Sequence, residues 1–70
     1  MNAVHSEASI IEASRLMRQY RATRLLVMAE ADGAARALGV VTADDIVTRV
    51  VAVALDPAVL TAGDIASFSR

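Results

Sequence analysis

Cysteine is absent from the 70-residue chain, so neither a disulfide nor a thiolate metal site can form. Histidine occurs once, as His5, and a single imidazole needs a cluster of carboxylates to hold a metal; no such cluster lies near it in the sequence. Lysine is missing too: all seven basic residues are arginines. Against eight acids they leave a formal net charge of −1, so no field of one sign draws the chain to nucleic acid or to an anionic membrane. No apolar run reaches the ~20 residues that a membrane-spanning helix needs. The first residues are polar and acidic rather than basic and then apolar, so no secretory signal is expected and the cytoplasm is the default compartment. Aromatic residues make up only 3% of the chain. No Ser-His-acid set and no paired carboxylates with a plausible cleft are visible, so an enzyme is not expected.

What remains is aliphatic. Hydrophobic residues account for 56% of the chain, mostly Ala, Val, Leu and Ile. Seventy residues allow one small domain, or part of a larger one, with a marginal core. The apolar excess is expected to meet a partner.

Met1 to Ser6 is a short lead in which Ala3-Val4-His5 reads as a brief strand. Ser6 and Ser9 are both candidate helix caps. Ser9 is preferred, because Glu12 stands at capping-box distance from it. From Ile10 to Tyr20 the spacing is helical: Ile10, Ala13, Met17 and Tyr20 form one stripe, widened by Leu16. Arg24 to Ala29 is an almost continuous apolar run and reads as a buried strand. Asp32-Gly33 is a strong turn signal between this strand and one ending at Thr42, which predicts a hairpin.

The stretch that organises the rest is Gly39-Val40-Val41-Thr42-Ala43-Asp44-Asp45-Ile46. Its apolar run stops at a hydroxyl and is followed by two carboxylates and then by helical spacing, so a strand is expected to run into a helix with Thr42 at the cap. Two readings of this junction stand side by side. Thr42 and Asp45 can be a capping box and nothing more. Alternatively, a helix start with a hydroxyl suits a phosphate, and a carboxylate three residues on can accept two neighbouring hydroxyls, as on a ribose. Asp44 and Asp45 point about 100° apart on a helix and do not form an acid/base pair. The helix is expected to run from Ala43 or Asp44 to about Leu55 and to stop before Pro57. Ile46, Val47, Val50, Val51, Val53 and Ala54 give it a wider apolar arc than a small sheet can cover, so one face is expected to meet another domain or chain. After Pro57, Ala58-Val59 with Thr61 and Ile65 weakly echo Ala3-Val4 with Ser6 and Ile10, as if a second copy began.

The resulting order, β-α-β-β-α with a small sheet and two helices, is α/β (α+β) in class and resembles a CBS domain, a module that usually works in pairs (a Bateman module). The resemblance covers about Val4 to Leu55. It rests on Ser9-Ile10-Ile11-Glu12-Ala13-Ser14-Arg15-Leu16-Met17, on Leu25-Leu26-Val27, on the Asp32-Gly33 turn and on the Gly39–Ile46 stretch, all in the family's order and spacing. It implies a CBS repeat over residues 1–56, with 57–70 a linker or the start of a second, incomplete repeat. It implies no catalysis but regulation of an attached or partner protein by an adenosine-containing ligand (AMP, ADP, ATP or S-adenosylmethionine) held between paired repeats. By the same resemblance Asp45 would take the ribose hydroxyls and Thr42 the phosphate, with Val4, His5, Arg24, Leu25 and Leu26 on the adenine side. Two positions depart from the family pattern. Leu26 replaces a proline. Asp44 stands where a basic residue is frequent, which favours AMP or S-adenosylmethionine over ATP. The expected partner is a second CBS repeat, most simply in a homodimer. The competing reading is a ligand-free dimerisation or scaffolding domain.

Overall fold

A computed structural model describes residues 2–67. The elements follow the sequence order: β1 (Ala3–His5), α1 (Ile10–Tyr20), β2 (Arg24–Ala31), β3 (Ala34–Thr42), α2 (Ala43–Ile46) continued by a π-helical turn (Val47–Val51), and a single-turn α3 (Ala62–Ile65). The three strands form one sheet in the order β1-β2-β3, with β1 parallel and β3 antiparallel to β2. The parallel pair is connected through α1, as a crossover requires. The hairpin turns on Asp32 and Gly33, both at positive φ (52° and 78°), which is the chemistry of a two-residue primed turn.

α1 has the predicted bounds. Ser9 caps it by accepting the Glu12 N–H at 3.1 Å, but the reciprocal arm from the Glu12 side chain is not formed, so the expected capping box is half made. Ile10, Ala13 and Met17 are buried, whereas Tyr20 is 52% exposed and lies outside the core stripe. The helix is closing at that point. Arg21 takes a left-handed conformation, with its N–H on the Arg18 carbonyl and the Ala22 N–H on the Met17 carbonyl, a Schellman ending.

The second helix departs further from expectation. It makes one α turn and one π turn and does not reach Leu55. Val50 and Val51 accept from Leu55 and Ala54, and Ala54 sits at φ 58°. This is again the Schellman geometry, completed before Asp56-Pro57 can act as the terminator. A run rich in β-branched valines has little intrinsic α preference to hold a longer helix. Ile46 and Val50 are buried, while Val47, Val51, Val53 and Leu55 remain exposed.

The core is one aliphatic layer between the sheet and the helices, built around Ile10, Leu25, Val27, Val41 and Val50. Residues 57–67 lie back on this same unit. Ala62 and Ile65 belong to its core, Leu60 and Ala8 exchange main-chain bonds with Ile10 and Ala62, and Ser67 bridges Val40 through two main-chain bonds of 2.8 and 3.0 Å. This crossing explains Gly39. A Cβ there would stand 2.8 Å from the Ser67 carbonyl oxygen, and the backbone φ of 156° is one that side chains rarely adopt. β3 also carries one extra residue, Leu38, where Val27 faces Gly39 and Met28 faces Ala37.

Candidate functional site

Alternation along the strands gives the sheet two unlike faces. Val4, Leu25, Val27 and Val41 point into the helical layer and are buried. Leu26 and Val40 are register partners, Ala3 stands beside Leu26, and His5 beside Met28; these residues form the opposite face and all keep solvent access. Arg24 pairs with Thr42 in the next row of that face. The open face is thus aliphatic in the middle and polar at the end where β3 runs into α2.

That end is built by local sequence. Thr42 has the extended backbone of a cap residue, and its Oγ1 accepts the Asp45 N–H at 3.0 Å. Asp45 Oδ2 accepts the Thr42 N–H at 3.2 Å, completing a reciprocal capping box. Oδ1 of Asp45 has no short donor and stands 4.0 Å from Nη1 of Arg49, one turn along the helix. The same Nη1 donates to the Ile65 carbonyl at 3.0 Å. The Asp44 side chain is exposed, and its carbonyl accepts from Thr48. The box constrains Thr42 and Asp45 without exhausting them. A carboxylate has about four lone-pair sites, and Asp45 remains partly exposed.

The residues expected on the adenine side divide into two groups. His5, Arg24 and Leu26 are on the open face, with Thr42 and Asp45 at its end. Val4 and Leu25 are 5% and 0% exposed, so only their main chains can meet a ligand. Nδ1 of His5 accepts the Glu7 N–H at 3.1 Å, which leaves the ring proton on Nε2. Among the described residues no group of three or more His, Asp or Glu side chains is placed to hold a metal ion. No helix is long and apolar enough to cross a membrane. A groove of about 340 Å³ lies on the helical side, lined by Ile11, Arg15, Arg18, Ile46, Val51 and Pro57; none of the predicted site residues borders it. Arg49 was not singled out by sequence reasoning. Its spacing of four from Asp45 is the signal that pointed to it.

A family profile for the CBS domain matches residues 2–52, and the chain belongs to that family. Such domains serve generally as regulatory modules, often bind ligands, and pair into larger units. Among solved structures, hypoxic response protein I with two coordinated zinc ions superposes with a TM-score of 0.83 at 30% identity, over 94% of this chain and 52% of its own. A cystathionine beta-synthase domain protein fused to a Zn-ribbon-like domain gives 0.83 at 27% identity, over 96% of this chain and 90% of its own. A hexameric CBS-CP12 protein from bloom-forming cyanobacteria gives 0.79 at 25% identity, over 96% and 38%. The chain thus spans about half the length of the hypoxic response protein. A search of curated proteins gave no significant match.

Proposed function

We propose that the chain is one half of a regulatory pair that takes an adenosine-containing ligand between two CBS units and passes its presence to an attached or partner protein. The observation that carries this reading is the end of the open face. An aliphatic floor of Leu26 and Val40 suits a flat base, and beside it stand a hydroxyl, Thr42, and a carboxylate oxygen, Asp45 Oδ1, that the capping box leaves without a short donor. A diol is matched by an acceptor of this kind, because ionised carboxylates accept strong hydrogen bonds. The second unit would supply the other wall, most simply as a second copy of the chain in a homodimer. The largest groove of the single unit lies elsewhere, as expected for a site that two units complete.

Within this reading Asp44 and Asp45 oppose a long phosphate chain, and Arg49 offsets only part of that charge. AMP or S-adenosylmethionine is therefore preferred to ATP. The test is calorimetric titration with AMP, ATP and S-adenosylmethionine, beside Asp45→Asn. Asparagine retains an oxygen for the Thr42 N–H, so the cap persists while the charge is lost; alanine would remove both. Binding of AMP above ATP, reduced about tenfold or more in the variant, is the expected result, since a hydrogen bond to a charged group is worth ~1.5–3 kcal/mol. ATP binding more tightly than AMP would sink the charge argument.

The second reading is a ligand-free scaffolding or dimerisation domain. It is favoured by Val47, Val51, Val53, Leu55 and Val59, which stay exposed on the unit. A folded, paired sample that binds none of the three ligands would establish it over the first.

A further inference from the structure

The segment that follows Pro57 is held at its front by main-chain bonds to the β1–α1 connection: Leu60 accepts from Ile10, Ala62 donates to Ala8 and Gly63 donates to Ser6. Its rear has different anchors. The Ile65 carbonyl accepts from Arg49, and Ser67 bridges Val40. Both anchors belong to the strand–helix stretch that carries Thr42 and Asp45. Arg49 is itself shared. Its Nη1 is bonded to Ile65 and faces Asp45 Oδ1 from 4.0 Å, the oxygen left over by the capping box.

We propose that Arg49 couples Asp45 to the attachment of residues 65–67, so that a diol engaging Asp45 loosens the rear of this segment. The coupling of segment and carboxylate stands on the contacts above; its use by a ligand rests on the adenosine reading.

The physical argument is competition for one oxygen. The Asp45 carboxylate is the nearest negative charge that steers the guanidinium to the place where it also meets the Ile65 carbonyl. Asp44 and Asp64 are the other acids on the elements that meet here, and both are exposed. Hydroxyls that donate to Oδ1 spread its charge and fill the gap that Arg49 faces. A long arginine side chain without that steering regains rotamers, and its bond to Ile65 is populated less. Ser67, two residues on, is then held by the Val40 bridge alone. The coupling is reciprocal, as any linkage between two equilibria must be.

The test is amide hydrogen exchange by NMR on the whole chain, read at Ser67 and Val40, which bond to each other, with Val27 in the core strand as the measure of global opening. Arg49→Leu should speed exchange at Ser67 and Val40 by roughly fivefold with Val27 unchanged, a modest factor because Arg49 is about half exposed. Asp45→Asn, which keeps Arg49 and the cap, should speed it by roughly twofold. Adenosine, which carries the diol without a phosphate, should raise wild-type exchange toward the Asp45→Asn value. If Arg49→Leu acts and Asp45→Asn does not, Arg49 is a clamp without coupling and the proposal is overturned. If both variants act but bound adenosine changes nothing, the ligand does not use the coupling and the proposal is overturned as well. If neither adenosine nor AMP binds, the adenosine reading fails, while the two variants still decide whether Asp45 and the segment are linked.

Discussion

Three residues carry most of the local conformational cost: Arg21 and Ala54 at left-handed helix ends, and Gly39 beneath the crossing segment. Glycine is the usual occupant of a Schellman position because it has no Cβ to clash there. Arg21→Gly and Ala54→Gly should each stabilise the fold by about 0.5–1 kcal/mol, seen as a higher urea midpoint at unchanged slope. Gly39 works in the other direction. Gly39→Ala forces a methyl group to within 2.8 Å of the Ser67 carbonyl and should cost about 1–3 kcal/mol. The loss should appear together with faster exchange at Ser67. Thr42 has a double role in this account, because its hydroxyl closes the helix start whether or not a ligand is bound. Thr42→Ala is therefore expected to lower stability by about 1 kcal/mol even in the absence of ligand, measured by thermal melting.

At the scale of elements, α1, the Asp32-Gly33 hairpin and the Thr42 cap were legible because each depends on residues within four positions of one another. Period-3.6 spacing, a turn dipeptide and a Thr-x-x-Asp box are local signals. The second helix was misread in length for the same reason. Its valines keep an apolar pattern as far as Leu55, and nothing local announces that Ala54 will turn left-handed. The packing of Ile65 into the core and the reach of Arg49 to its carbonyl were also hidden, since they join residues 16 positions apart. The wide apolar arc, by contrast, was read from composition, and it is what the structure leaves bare at Val47 and Val51. Replacing these two with Lys and Glu should change the stability of the single unit by no more than about 0.5 kcal/mol, as exposed positions do. Association measured by light scattering over a concentration series should fall. Unchanged association would place the contact on another surface.

For the whole molecule, the question is what makes 70 residues sufficient for a core. The answer includes the part after Pro57. Ala62 is fully buried and Ile65 nearly so, in the same cluster as Ile10 and Val41. Ile65→Ala should cost about 2–4 kcal/mol, a large share of what a domain this small can hold. A chain cut after Pro57 should fail to show a cooperative melt by circular dichroism. Cooperative melting of the cut chain would mean that residues 3–56 hold their core alone. The Ser67–Val40 bridge has one more consequence, in terms of self-association of strands. Val40 lies in β3, an outer strand of the sheet, and Ser67 occupies both of its outward main-chain groups. Without that cover, Gly39-Val40-Val41 becomes an uncharged, β-branched edge, the kind that recruits strands from other chains. Loosening of the exit segment would thus open a route to aggregation, and a truncated chain should collect in the insoluble fraction before it is seen to unfold.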